Sequence, residues 1–168
     1  MSDEHPACRT AEKLRVECDV RHERRSGPGG QHRNKVATAV VIEHRPTGVR
    51  AEASERRSQA ENHREAVRRL RLRLAIDVRS PSPRDGVSDL WQSRSAGGRV
   101  AVNPGHDDFP SLVAEALDRL AADEFDMATA AEKLGVTRSQ LVKFLKLDPA
   151  VWQFVSHERG QRGLKAYY

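Results

Sequence analysis

Gly27, Pro28, Gly29 and Gly30 occupy four consecutive positions in the run Arg24-Arg25-Ser26-Gly27-Pro28-Gly29-Gly30-Gln31-His32-Arg33-Asn34-Lys35. No other stretch restricts the fold more. Proline donates no backbone hydrogen bond, and glycine is entropically costly inside a helix or strand. The segment therefore has to be a loop, and its flanks have to be separate elements. Before it, Leu14-Arg15-Val16-Glu17-Cys18-Asp19-Val20 alternates apolar and polar, the period of a half-buried strand. After it, Val36-Ala37-Thr38-Ala39-Val40-Val41-Ile42 is rich in β-branched residues and predicts a second strand. Arg45-Pro46-Thr47-Gly48 is placed to reverse the chain, so Val49 to Ala53 returns as a short third strand.

A helix follows. Ser58 is a cap, with Glu61 three residues on to complete a capping box. Ala66, Leu70 and Leu74 share one face with Val67 beside them, while Arg64, Arg68, Arg69, Arg71 and Arg73 coat the rest. Residues 79–107 are rich in Pro, Ser, Gly and Arg without apolar periodicity and read as a linker or extended arm, with Trp91 and Leu90 pinning part of it to the surface. From Asp108 apolar periodicity returns. Pro110 opens a helix striped by Leu112, Val113, Ala116, Leu117 and Leu120. Met127 to Leu134 and Thr137 to Lys146 are two further helices around a Gly135-Val136 turn, the order of a helix-turn-helix. Val151, Trp152, Phe154 and Val155 complete a small core, and the tail from Gly160 is mildly basic and frayed. The expected fold class is α+β: a small β-sheet with an inserted loop and one packed helix (residues 10–78), the linker, and an all-α helix-turn-helix-like module (residues 108–168).

Charge narrows the partner. The chain's net charge is +5, yet residues 21–80 hold 15 Lys/Arg against 7 Asp/Glu, whereas residues 81–168 hold 11 against 12. Basic character concentrated around the glycine loop is an electrostatic footprint for nucleic acid. The same segment lacks the bulky apolar face of an interfacial helix, and no run approaches the roughly 18 apolar residues of a membrane span, so no membrane partner is expected. At 5% aromatic residues, base-stacking platforms are excluded as the main binding device. Cys8 and Cys18 are too few for a disulfide framework or a four-cysteine zinc site; Cys18 reads as a buried strand thiol. The start MSDEHPACRT has neither a signal core nor a transit-peptide pattern, and a cytoplasmic protein is expected.

Chemistry at the loop is limited by its residue types. Gln31 donates and accepts hydrogen bonds but is no general base. The run has no G-K-[ST] ending for a P-loop and no dinucleotide-binding spacing. Ser26-Gly27-Pro28-Gly29-Gly30-Gln31-His32, Asn34-Lys35, the turn Pro46-Thr47-Gly48, and Arg57-Ser58-Gln59 with Asn62 together resemble the catalytic domain of class I peptide-chain release factors. They resemble equally the codon-independent ribosome-rescue hydrolases that share it. The resemblance covers residues 14–78. It implies that the loop enters the ribosomal peptidyl transferase centre and promotes attack of water on the ester joining peptide to tRNA. Gly29, Gly30 and Gln31 are then the catalytic residues, with the Gln31 backbone N–H stabilising the oxyanion, a donor worth about 3 kcal/mol. Arg24, Arg25, His32, Arg33, Asn34, Lys35, Arg56 and Arg57 become the RNA-binding set. The implied partners are large-subunit rRNA and the P-site peptidyl-tRNA, with the protein acting as a monomer and needing no metal or cofactor.

Arg33 and Val36 depart from the commonest pattern of that family, which has an apolar residue and a threonine there. About 13 residues precede the first strand, too few for a decoding domain, so the expectation is rescue of stalled ribosomes rather than codon-dependent termination. The helix-turn-helix-like module stands where single-domain rescue factors carry a long basic tail. Two readings of it stay open: a helical bundle packed on protein, or a nucleic-acid surface with Arg138, Gln140, Lys143 and Lys146 outward. The alternative for the whole chain is a non-catalytic RNA- or DNA-binding protein.

Overall fold

The computed structural model describes residues 4–24 and 37–167. The chain is mixed α+β and divides into two compact units, Glu4–Val78 and Arg79–Tyr168.

In the first unit a single 3-10 turn at Pro6–Cys8 leads into helix α1 (Ala11–Val16), strands β1 (Cys18–Glu23), β2 (Ala39–His44) and β3 (Arg50–Ala53), and helix α2 (Gln59–Asp77). The strands form an antiparallel sheet in chain order, with Val20 opposite Ile42 and Ile42 opposite Ala51. Alternation sends Cys18, Val40, Ile42, His44, Ala51 and Ala53 to one buried face. The α2 stripe of Ala66, Val67, Leu70 and Leu74 is buried with them, as its 3.6-residue period requires. The Ser58 hydroxyl accepts from the Glu61 N–H at 3.3 Å, so the cap sits where the sequence puts it. The arginine coat of α2 is more than a solvated face. Arg69 and Arg73 donate to the β3 region carbonyls of Glu52 and Arg50, and Arg71 donates to the Ala7 carbonyl.

The first strand begins later than alternation suggests. Residues 11–16 are helical, started by Thr10, whose hydroxyl accepts from the Lys13 N–H; Leu14 is buried, while Val16 is 75% exposed. A strand needs a ladder partner, and β2 ends at His44, opposite Cys18, where the Arg45–Gly48 turn begins. Residues 14–17 therefore have no strand to pair with. Gly48 sits at φ +71°, the left-handed conformation that closes this turn.

The second unit holds α3 (Asp89–Arg94), the short hairpin β4 (Ser95–Ala96) and β5 (Arg99–Val100), then α4 (Phe109–Ala122), α5 (Met127–Lys133), α6 (Arg138–Leu145) and α7 (Pro149–Gln161). Residues 79–107 are thus not a bare linker. Trp91 is completely buried, donates its indole N–H to the Leu134 carbonyl at 2.8 Å, and packs edge-on to Phe144 at 5.7 Å. One indole supplies the anchoring that a periodic stripe supplies elsewhere, which is why no period shows. Gly97 and Gly98, at φ +56° and +74°, make the hairpin turn.

Ala131, Leu134 and Val136 are buried, and Gly135 takes φ +67° between α5 and α6. The chain end is also more ordered than expected. Arg159 is buried, donating to the Phe125 carbonyl at 2.5 Å and the Lys165 carbonyl at 2.8 Å, with Tyr167 stacked 4.7 Å away. Glu124 and Phe125 hold left-handed φ values of 52° and 58° where α4 ends.

Candidate functional site

Strands β1 and β2 end together where Glu23 pairs with Ala39, and residues 24–38 connect them. The Ser26–His32 motif lies within that connection. Arg25, Gly29, Gly30, Gln31, His32, Arg33, Asn34 and Lys35 lie outside the described residues. Arg24 lies one residue past the last pair and is exposed. The C-terminal side of the connection, Ala37 and Thr38, is described, and so is what holds it.

Asn62 is completely buried one turn into α2. Its Nδ2 donates to the Thr38 carbonyl at 2.8 Å and the Arg56 carbonyl at 3.0 Å, and its Oδ1 accepts from the Arg56 N–H at 3.0 Å. Both Nδ2 protons and the oxygen are satisfied by backbone from two separate segments. Gln59, at the first position of α2, donates to the Ala37 carbonyl at 2.9 Å. Buried polar groups are tolerated when every bond is made, and such groups then fix geometry more sharply than apolar contact does. The two amides tie the root of the connection to the helix start. They bring to the same place the turn that carries Arg56 and Arg57, both exposed and, among the described residues, unpaired with any carboxylate.

Sequence reasoning placed Arg24, Arg56 and Arg57 in the RNA-binding set, and hydrogen bonding through Asn62 and the Glu23–Ala39 pair gathers all three segments around one end of the sheet. Asn62 and Gln59 were visible only as marks of the resemblance. The signal for their role was an asparagine on the apolar side of a helix start, four residues before Ala66 of the buried stripe.

Further polar chemistry sits at the opposite end of the sheet. His44 is 2% exposed, its Nδ1 shares a 2.7 Å bond with the Thr47 hydroxyl, and its Nε2 lies 3.1 Å from Glu17 Oε2. Arg9 also pairs with Glu17. The His44 bond, with help from Arg9, holds the Glu17 carboxyl below the usual carboxylate range. On α2, burial, then the nearby Arg15 and His22 charges, hold His63 below the ordinary imidazole value. Burial pushes the Cys18 thiol up to about 11, so it is no nucleophile near neutral pH. Among the described residues, no group of three or more His, Cys, Asp or Glu is placed to hold a metal ion, and no helix is long and apolar enough to cross a membrane.

A family model described as the RF-1 domain matches residues 13–97, which takes in the whole sheet, α2 and Trp91. The chain is 34% identical over 121 residues to peptide chain release factor 1 of Acidiphilium cryptum (strain JF-5), covering 66% of this chain and 34% of that relative. It is 48% identical over 62 residues to peptide chain release factor 1 of Streptococcus pyogenes serotype M5 (strain Manfredo), covering 37% of this chain and 16% of the relative. Peptide chain release factor 1 of Streptococcus pneumoniae (strain Hungary19A-6) matches to the same extent. The chain therefore spans about a third or less of the length of these curated relatives. With a three-stranded sheet backed by one capped helix, and with the Gly-Gly-Gln motif between its first two strands, the chain belongs to the RF-1 domain family of peptide chain release factors.

Proposed function

We propose that this chain hydrolyses the ester between nascent peptide and tRNA inside the ribosome, without reading a codon, on ribosomes that have stalled. The observation that carries the reading is the site of the motif. Ser26–His32 interrupts an antiparallel pair at the end where a buried asparagine and a helix-start glutamine grip the returning chain. A root tied to helix and sheet suits a loop that must deliver one backbone N–H to a reacting carbon. Catalytic groups held loosely by an ångström lose much of their effect.

In this mechanism Gly29 and Gly30 let the backbone come close to RNA, and the Gln31 N–H donates to the oxyanion as water attacks the ester carbonyl. The Gln31 side chain shapes the water site. Proton transfer is left to the tRNA terminus and rRNA. Arg24, Arg25, His32, Arg33, Asn34, Lys35, Arg56 and Arg57 neutralise or contact the surrounding RNA. The partners on this reading are large-subunit rRNA and P-site peptidyl-tRNA, met in the cytoplasm by a monomer.

Peptide release from ribosomes stalled on mRNA without a stop codon tests this directly. Wild type should release peptide. Gly30→Ala should lose on the order of 100-fold or more in rate, the scale of one oxyanion donor, while still binding. Gln31→Ala should lose less, because its backbone N–H remains. A stop codon in the A site should leave the rate unchanged. Absence of release by wild type would sink the hydrolytic reading, and release only with a stop codon would replace rescue by codon-dependent termination.

A further inference from the structure

The second unit carries nearly equal numbers of acids and bases, but its cations are not used equally. Arg79 pairs with Asp118, Arg94 with Asp108, Arg162 with Glu158 and Glu124, and Lys133 with Asp123. Arg119 and Arg159 are spent on backbone carbonyls. Arg84 and Lys165 are exposed and isolated from one another in sequence, whereas around α6 such cations cluster. Arg99, Arg138 and Lys143 are exposed and have no carboxylate partner among the described residues; Lys146 is exposed and rests 4.9 Å over the Trp152 ring. Neither residues 95–106 nor residues 133–147 contain a single Asp or Glu.

Geometry joins these side chains into one surface. Leu141, Phe144 and Leu145 turn one face of α6 into the core. At 100° per residue, Ser139, Val142, Lys143 and Lys146 then lie away from that face, while Arg138, three residues before Leu141, is exposed because it stands at the first position of the helix. The β4–β5 hairpin abuts the start of α6. The Thr137 N–H donates to the Gly98 carbonyl at 3.0 Å, and a Cβ on Gly98 would stand 3.3 Å from Thr137 Cγ2. Arg99 and Arg138 each neighbour that bonded pair in sequence. The result is a cationic strip about 12 Å long, from the rise of an eight-residue helix, drawn from two segments that hold no acid and beginning at the Gly97–Gly98 turn.

We infer that this strip binds the phosphate backbone of a double-helical nucleic acid. Long, flexible cations without exposed aromatics suit repeating phosphates rather than stacked bases, and α5–turn–α6 presents its second helix as helix-turn-helix proteins do. The inference stands apart from the hydrolytic reading, since it uses none of the residues assigned there.

The full-length chain with Arg138→Ala and Lys143→Ala tests it, titrated against a 20-base-pair RNA duplex, the DNA duplex of the same sequence and single-stranded RNA. Arg84→Ala with Lys165→Ala removes the same charge from exposed sites outside α6 and the hairpin and serves as the control. Loss of two phosphate contacts flattens the log–log salt slope by about 1.8, so wild type should lose on the order of tenfold more duplex affinity than the strip variant between 50 and 200 mM salt. The control should follow wild type. A change in both duplex arms supports a general double-helix surface, and a change in one arm assigns it to RNA or to DNA. An unchanged slope, an equal change in the control, or a change with single strands alone would overturn the inference.

Discussion

The two units are held together by different means. Alanines make up much of the first unit's core: Ala39, Ala51, Ala53, Ala66 and Ala75 are all buried. Its buried polar side chains, His5, His44 and Asn62, each bond to backbone or side chains from other segments. The second unit packs Trp91, Phe109, Phe125 and Phe144 with a set of leucines, and Phe109 and Phe144 meet edge-on at 5.8 Å. Alanine packing contributes little area per residue and no direction. Register in the first unit and the placement of Ala37 and Thr38 are therefore fixed by hydrogen bonds, where the second unit relies on filled volume.

The sharpest attack on this contrast is Trp91→Ala. It removes the largest fully buried side chain and leaves the Leu134 carbonyl without its indole donor, so unfolding free energy should fall by about 3–5 kcal/mol. Chemical denaturation followed by helical circular dichroism measures it. A loss under about 1.5 kcal/mol would mean that aromatic volume does not hold the unit. Asn62→Leu is the matching attack on the first unit. The volume is kept, but the Arg56 N–H and the Thr38 and Arg56 carbonyls lose their partner, and a loss of about 2–3 kcal/mol is expected. Peptide release should fall with it. If leucine is tolerated, the bonds are dispensable and the contrast fails. Gln59→Ala, which frees only the exposed Ala37 carbonyl bond, should cost under about 1 kcal/mol.

What the sequence revealed and concealed follows the same division. Periodicity exposed α2 and its stripe, the α4 stripe from Leu112 to Leu120, and the caps Ser58 and Thr137, because each is a local rule acting over one or two turns. It misplaced residues 14–17, since one helical turn and two strand alternations look alike over four residues and only the partner strand decides. It missed α3 and the hairpin because one indole and scattered polar bonds, Ser88 to Glu115 and Thr137 to Gly98, anchor them, which leaves no period to count. Arg159, one residue before the stretch read as tail, carries no local mark of its burial, because that burial answers a carbonyl 34 positions away. At the site the motif itself was legible. The Asn62 clamp was not, because its partners at Thr38 and Arg56 are set by the fold.

Acid titration gives the smallest effect and separates two groups of the first unit by their windows. The Glu17 carboxyl, held below 4.5 by His44 and then by Arg9, binds protons more readily unfolded than folded. Its contribution is complete above pH 4.5 and is lost as pH falls through the folded value. His63, held below 6.5 by burial and then by Arg15 and His22, also takes a proton more readily when unfolded. Its penalty begins as pH drops below 6.5, before Glu17 titrates. Denaturant midpoints for His63→Gln should therefore flatten the decline just under pH 6.5 and leave the lower limb intact. Glu17→Gln should lower the midpoint at pH 7 and converge on wild type as pH falls through the folded Glu17 value. A Glu17→Gln deficit that persists at the acid end of the titration would mean that the Glu17–His44–Arg9 cluster works by shape rather than charge. Directional bonding would then govern only the loop end of the sheet, where Asn62 sits, and the far end would be held by packing, as the second unit is.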